Sequence, residues 1–165
     1  MPDISPPTAF LDAMAAVPAP VTIATTIDRQ GKRWGFTGSS FTSLSANPPM
    51  VMICLSKTAS THAAFTGCAQ FMVNVLADNH GHIARRFAAP RIDRFSAGDM
   101  GDCEAGLPGL PDAVVRLVCA LHQVLDGGDH SILVGRVEQA VTTGGEPLVY
   151  CGRTFTQLAL ESARV

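Results

Sequence analysis

The 165-residue sequence predicts a mainly β fold, an antiparallel barrel with a few short helices. Short apolar, β-branched runs alternate with tight turns along most of the chain, a pattern typical of such barrels. The two longest runs, 114–125 and 131–141, are joined by Asp-Gly-Gly-Asp at 126–129, which is a strong hairpin signal. Strands do not alternate with long helices, so a parallel sheet is not expected.

The first third of the chain predicts one helix and three strands. A helix is expected over 6–17, where apolar residues recur at helical spacing before two prolines. Residues 21–27 are largely β-branched and predict a strand, and the turn at 28–31 leads into a second strand that runs into Gly35. Residues 50–55 are apolar on both faces, which predicts a central strand.

The rest of the chain predicts further short elements around one long irregular segment. These elements are a helix over 61–65, a strand over 70–76, a helix over 79–88, and strands over 148–150 and 154–158. Residues 91–111 are rich in Gly, Pro and Asp and lack periodicity, so a long excursion or lid is expected there. Because no linker interrupts the chain, we expect a single domain over 1–165 with its core at about 14–158.

Composition excludes several classes of protein. Apolar residues make up 47% of the chain and charged residues only 16%, which predicts that a partner subunit covers some apolar surface. The net charge of −2 and the lack of a basic run argue against a nucleic-acid surface. No apolar stretch is long enough to span a membrane, and the first residues do not form a basic signal peptide, so a cytoplasmic protein is expected.

Two hydroxyl-rich segments flank the central strand over 50–55. In 35–45 (GFTGSSFTSLS), six of eleven residues are Ser or Thr, and 56–61 (SKTAST) is a second cluster. Segments on either side of one short strand can face the same cleft, which would suit a ligand with a planar polar edge and a phosphate. Ser60 or Thr61 can cap the next helix and leave N–H groups for an anion. The alternatives are an ordinary helix cap and a Ser/Thr-rich barrel corner.

Other familiar sites are not indicated by the sequence. The five cysteines lack C-x-x-C spacing, so neither a disulfide framework nor a zinc site is expected. His80 and His82 would lie on different helix faces, and no metal site is predicted. Neither a G-x-G-x-x-G fingerprint nor a P-loop is present. His130, taken alone, is more often a turn or core residue than a catalytic one.

Taken together, the motifs resemble those of the flavin reductase-like domain family. Its members include the NAD(P)H:flavin oxidoreductase components of two-component flavin-dependent monooxygenases. The resemblance runs from about 17 to about 157. It rests on these segments in order: 21–26 (VTIATT), 35–43 (GFTGSSFTS), 48–51 (PPMV), 54–55 (CL), 60–62 (STH), 71–76 (FMVNVL), 93–95 (DRF) and 128–130 (GDH).

The resemblance implies a fold, an activity and partners. The fold would be a six-stranded antiparallel split β-barrel of the FMN-binding type, forming a homodimer with flavin near the subunit interface. The activity would be hydride transfer from NADH or NADPH to N5 of FAD or FMN. Reduced flavin would then pass to a separate monooxygenase. A split-barrel flavoprotein that retains its flavin and acts on another substrate, and a non-catalytic flavin-binding barrel, are the alternatives.

The resemblance also implies site residues, carried over position by position. The flavin ring would meet Phe36, Thr37, Gly38, Ser39 and Ser40, with Asn47 near the pyrimidine or ribityl part. The ribityl and phosphate groups would meet Cys54, Leu55, Ser56, Ser60 and Thr61, with Arg86 and Phe95 approaching from the other side. The nicotinamide would be bordered by His130, as its positioning residue, and by Tyr150.

Two positions depart from the family pattern. Gly38 stands where alanine is usual, and Cys151 follows the tyrosine where histidine is frequent. The sequence leaves open the choice between FAD and FMN. The lack of an obvious arginine cluster favours NADH over NADPH.

Overall fold

The structure, a computed structural model, describes residues 7–159. The α-helices are α1 (Pro7–Ala15), α2 (His62–Thr66) and α3 (Gly81–Ala88). The strands are β1 (Ala19–Pro20), β2 (Thr22–Ile27), β3 (Arg33–Gly38), β4 (Phe41–Ala46), β5 (Pro49–Ser56), β6 (Gln70–Val75), β7 (Gly101–Asp102), β8 (Pro108–Gly109), β9 (Val115–Gly127), β10 (His130–Thr142), β11 (Leu148–Cys151) and β12 (Thr154–Gln157).

The main sheet contains seven strands in the order β3-β2-β6-β9-β10-β5-β4, and every neighbouring pair is antiparallel. The predicted mainly β, antiparallel fold is therefore confirmed. The prediction of a six-stranded barrel is wrong in two respects. The sheet has a seventh strand, and the edge strands β3 and β4 do not pair with each other within the described residues.

The additional strand is β4, in the hydroxyl-rich segment at 35–45, where the sequence predicted no separate strand. It pairs with β5 along its length, with one irregularity between Ser43 and Ser45. Backbone hydrogen bonds hold such an edge strand, and most of its side chains are exposed. Apolar alternation, the usual sequence signal for a strand, is consequently weak there.

Two smaller sheets complete the described structure. Strands β1, β11 and β12 form a three-stranded sheet, and β7 pairs with β8. The longest helix, α1, has nine residues and buries none of them. Within 7–159, no helix is both long and apolar enough to cross a membrane.

The core lies between the sheet and the two helices that cover it. Phe65 of α2 packs into one buried cluster with Phe71 and Leu133, while Ile83 and Phe87 of α3 belong to a second. Close packing at Phe71 requires glycine on β10, two strands away in the sheet. A Cβ on Gly135 would lie 2.6 Å from the Phe71 ring, closer than real contacts allow.

The excursion at 91–111 is attached to the sheet by hydrogen bonds and an ion pair. Asn74 of β6 is fully buried, donates to the Ile23 carbonyl at 3.0 Å and accepts the Leu110 N–H at 2.9 Å. Arg116 of β9 forms a two-pronged ion pair with Glu104, at 2.9 and 2.8 Å. These contacts satisfy buried polar groups on both sides and fix where the excursion leaves the sheet.

Candidate functional site

A cavity of about 610 Å³, here called the main cavity, lies beside α3. It opens at the C-terminal ends of β3 and β5 and at the N-terminal end of β10. The antiparallel pairing of β5 and β10 sets His130 opposite Ser56. The covalent link between β3 and β4 forms another part of the wall. The predicted site residues that line the main cavity are Phe36, Thr37, Gly38, Ser39, Ser40, Cys54, Leu55, Ser56, Ser60, Thr61 and His130.

The two hydroxyl-rich segments therefore face one cavity, as the sequence analysis expected. Thr37 is fixed by α3, since its hydroxyl donates to the Ala84 carbonyl at 2.6 Å. The hydroxyls of Ser39, Ser40 and Ser60 make no hydrogen bond to any residue of 7–159, although all three line the cavity. Their hydrogen-bonding capacity is available to a ligand.

Thr61 is the most informative single residue of the site. It is only 2% exposed, and its Oγ1 has no hydrogen-bond partner among the described residues. The side chain does not cap α2, although Thr61 is the N-cap residue. A buried hydroxyl without a partner costs free energy, about 1–3 kcal/mol. Thr61 lines the main cavity, and its hydroxyl would reach an acceptor oxygen of a bound group after a rotation about χ1.

A second cavity of about 500 Å³, the side cavity, adjoins the main one. The residues common to both are Ser60, Thr61, Arg91 and Arg94. Its other lining residues come from the start of β3 and from the beginning of the excursion, and they include the predicted residue Phe95. Phe95 packs edge-on against Phe87 with ring centroids 5.1 Å apart, which holds it in place.

A third cavity of about 240 Å³ lies on the other side of residues 37–39. Tyr150 and Phe155 line it, with ring centroids 5.9 Å apart. Tyr150 and His130, which the resemblance places together at the nicotinamide, therefore line different cavities of this chain.

Two predicted residues are not brought to any of these cavities. Asn47 lies in the exposed turn between β4 and β5. Arg86 turns away from the main cavity: its Nε donates to the Arg94 carbonyl at 2.9 Å, and its guanidinium pairs with Asp99. The Arg86 side chain is 18% exposed, so these contacts use it to fix the excursion.

Sequence reasoning missed two arginines, Arg91 and Arg94, that line both the main and the side cavity. Arg94 donates to the carbonyls of Gly35 at 2.6 Å and Ala89 at 3.0 Å, which fixes its guanidinium. Burial lowers the pKa of Arg94 below its ordinary value, yet arginine remains cationic near neutral pH. The DRF motif at 93–95 was the available signal, because it placed a cation beside the predicted Phe95.

His130 is held by its neighbour in the chain. Its Nδ1 lies 2.7 Å from Asp129 Oδ1, and 44% of its side chain is exposed. The His130 hydrogen bond lowers the pKa of Asp129 below its ordinary value, so the carboxylate accepts from Nδ1–H. The ring is thereby oriented, and Nε2 remains available for a ligand.

Four of the five cysteines are thiols whose full or partial burial opposes ionisation. Burial raises the pKa of Cys54, which lines the main cavity, and also that of Cys68 and Cys103. Burial raises the pKa of Cys119 to about 12. Because the thiolate is the reactive form, these four side chains act as small apolar groups near neutral pH.

The fold and the cavities define a class: antiparallel β proteins with a hydroxyl-lined, cationic cavity large enough for a nucleotide. Comparison with known families identifies which one. The model of the flavin reductase like domain matches residues 14–159, and the chain belongs to that family. The family resemblance inferred from the motifs is thereby confirmed.

Individual relatives carry different names. Actinorhodin polyketide dimerase of Streptomyces coelicolor is 41% identical over 89% of this chain and 84% of its own length. NADH:riboflavin 5'-phosphate oxidoreductase of Streptomyces pristinaespiralis is 38% identical over 90% of this chain and 86% of its own length. The chain covers 64% of the longer stachydrine N-demethylase reductase subunit Stc3 of Rhizobium meliloti, at 35% identity over 90% of this chain.

A solved structure agrees in fold over nearly the whole chain. The NADH:FAD oxidoreductase SgcE6 of Streptomyces globisporus C-1027, in complex with NAD and FAD fragments, superposes with a TM-score of 0.88 at 32% identity. The match covers 98% of this chain and 99% of that one.

Proposed function

We propose that the protein is a cytoplasmic NAD(P)H-dependent flavin reductase that supplies reduced FAD or FMN to a separate monooxygenase. The observation that carries the proposal is the single cavity lined by the unpartnered hydroxyls of Ser39, Ser40 and Ser60, with the buried, unpartnered hydroxyl of Thr61 beside them. Membership of the flavin reductase-like domain family and the names of relatives support the same reading.

The residues of the main cavity suit a flavin. Ser39 and Ser40 can donate to the polar edge of the isoalloxazine ring, while Gly38 leaves room for the ring to approach the backbone. Ser60 can donate to the ribityl phosphate, as can Thr61 after a rotation about χ1, with the charge of Arg94 nearby. When bound, the flavin supplies the hydride acceptor and the nicotinamide the hydride donor.

The task of the chain is to position groups rather than to transfer protons. His130, oriented by Asp129, can hold the carboxamide of the nicotinamide through its free Nε2. The walls formed by Phe36 and Leu55, both buried, restrict water at the ring site. Correct placement of two reacting rings contributes most of the rate in such a reaction.

We also propose that the protein works as a homodimer. Helix α1 buries no residue, and its apolar side chains Phe10, Leu11 and Met14 are about half exposed. Leu44 on the exposed edge strand β4 is 50% exposed. A second copy of the chain would cover this apolar surface, which a lone subunit leaves in water.

The decisive experiment follows NADH consumption with excess free FAD or FMN as the sole acceptor and the flavin concentration varied. Turnover that saturates with free flavin supports a flavin reductase. Flavin binding without NADH consumption would contradict it and favour a non-catalytic barrel. Tight flavin that never exchanges with free flavin would favour an enzyme acting on another substrate, a reading consistent with a relative named as a polyketide dimerase.

A further inference from the structure

The side cavity is not needed for a riboflavin phosphate in the main cavity. Yet the two cavities adjoin each other, because Ser60, Thr61, Arg91 and Arg94 line both of them. A ligand whose phosphate lies at Ser60 and Thr61 can therefore extend into the side cavity. At about 500 Å³, the side cavity has the size of a typical small-ligand site.

The charges that line the side cavity favour an anion. Four cations face it, Lys32, Arg33, Arg91 and Arg94, against one carboxylate, Asp93. Arg33 is neutralised by Asp102, and Arg94 is engaged by backbone carbonyls. Within residues 7–159, the side chains of Lys32 and Arg91 form no hydrogen bond and no ion pair, so both charges are available to a phosphate.

Arg91 has an unusual backbone for its residue type. Its φ is +57°, in the left-handed region that non-glycine residues seldom adopt. Arg91 stands at the junction of the two cavities, directly after Pro90. Strained residues of this kind are concentrated at ligand sites, where their conformation directs a side chain.

Trp34 offers a planar surface in the same cavity. Its indole Nε1 donates to Asp28 Oδ2 at 2.9 Å, and this bond lowers the pKa of Asp28 below its ordinary value. The ring is therefore held in one orientation by an ionised partner. Lys32 Nζ lies 4.0 Å above the ring centroid, and this exposed lysine can move aside for a base and pair with its phosphate.

We infer that the side cavity binds the adenosine monophosphate half of FAD, so that the protein prefers FAD to FMN. The inference rests on the proposed function and adds the identity of the flavin to it. Adenine would stack on Trp34, and the phosphate of the adenylate would lie at Arg91. FMN would occupy the main cavity alone, with no second phosphate for Arg91 and no base to stack on Trp34.

The test is equilibrium binding of FAD and of FMN to the intact protein, followed by quenching of flavin fluorescence. The variants are Arg91→Gln and Trp34→Leu, with Arg29→Gln as the matched control. Arg29 is exposed in the turn between β2 and β3 and lines neither cavity. Since Trp34 also packs against the core, Arg91→Gln is the variant that keeps the test independent of folding.

We expect the wild-type protein to bind FAD about tenfold more tightly than FMN. Arg91→Gln and Trp34→Leu should reduce that ratio to about one by weakening FAD alone, and Arg29→Gln should preserve it. Free AMP should compete with FAD and leave FMN binding unchanged.

Several results would overturn the inference. Equal affinity of the wild-type protein for FAD and FMN would remove it while leaving the flavin reductase proposal intact. Equal weakening of both flavins by Arg91→Gln would assign Arg91 to the riboflavin phosphate instead. A raised KM for NADH with unchanged FAD affinity would assign the cavity to the nicotinamide dinucleotide. Failure of the wild-type protein to bind either flavin would overturn the proposed function as well.

Discussion

The Thr61 hydroxyl is buried and has no hydrogen-bond partner among the described residues, which lowers the stability of the free protein. We propose that the same hydroxyl contributes to flavin binding. Thr61→Val keeps the shape of the side chain and removes the hydroxyl. We expect this change to raise the free energy of unfolding of the free protein, by about 1 kcal/mol, since an unsatisfied polar group is lost. The same change should weaken flavin binding about tenfold.

Thermal unfolding and flavin titration measure the two effects separately. Thr66→Val is the control, because the Thr66 hydroxyl donates to the His62 carbonyl at 3.0 Å and lies outside the cavities. That change should lower stability and spare flavin binding. Wild-type flavin affinity in Thr61→Val would contradict the role given to Thr61.

His130 should act on the nicotinamide rather than on the flavin. His130→Ala removes the ring that Asp129 orients, so we expect the KM for NADH to rise several-fold while the Kd for flavin changes little. Steady-state kinetics and flavin titration provide the two values. His122→Ala, at an exposed position of β9, is the control. An unchanged KM for NADH in His130→Ala would exclude the positioning role.

The structure brings most of the small and hydroxyl side chains named from the sequence to the main cavity, but it does not bring Arg86 there. Short side chains such as Ser39 and Thr61 cannot reach far, so their place in the chain nearly decides what they face. Arginine has a long, flexible side chain, and the groups that it binds determine where its guanidinium lies. Arg86 was expected at the site but is engaged with Asp99, whereas Arg94 reaches the cavity.

At the level of elements, the ion pair between Arg116 and Glu104 is one of the contacts that hold the excursion at 91–111. The Arg116 guanidinium lowers the pKa of Glu104 to about 2, from an ordinary value of 4.5. A carboxyl group with a lowered pKa stabilises the folded state above its unfolded-state pKa. That stabilisation is lost as the pH falls from about 4.5 to about 2.

We therefore expect Glu104→Gln to lower the free energy of unfolding near neutral pH by on the order of 2 kcal/mol. The difference from the wild-type protein should shrink as the pH falls through the window between the two pKa values. Urea unfolding across that window measures it. Glu138→Gln, on an exposed part of β10, is the control. A difference that stays constant with pH would contradict this account.

The sequence predicted most strands to within about two residues but missed β4. Apolar periodicity identified β2, β6, β9 and β10, because these strands bury side chains in the core. Strand β4 exposes most of its side chains and is held by backbone pairing with β5. Backbone pairing leaves little trace in side-chain composition, which is why the seventh strand was not predicted.

For the whole molecule, the exposed apolar surface predicts dimerisation. The double change Leu11→Glu and Leu44→Glu places two charges on that surface, so we expect a shift from dimer to monomer. Light scattering after size-exclusion chromatography measures the mass. Gln30→Glu adds the same charge in an exposed turn and should leave the mass unchanged. A wild-type protein that runs as a monomer would overturn the homodimer proposal.

The antiparallel fold could be predicted from the sequence, but whether the sheet closes into a barrel could not. Hairpin signals such as the one at 126–129 fix local pairing, and they produced the correct antiparallel arrangement. Whether the last strands on each side meet depends on the accumulated twist of all seven strands. No short sequence motif determines this accumulated twist. In the structure, the edge strands β3 and β4 are connected through residues 39–40 but do not pair with each other.

The four protonated cysteines have a consequence for the durability of the proposed enzyme. Reduced flavin that escapes its destination reacts with oxygen and yields peroxide, so a flavin reductase generates an oxidant in its own surroundings. Peroxide attacks thiolates far faster than thiols. By holding Cys54, Cys68, Cys103 and Cys119 in the thiol form, burial protects the chain from oxidative damage by its own product.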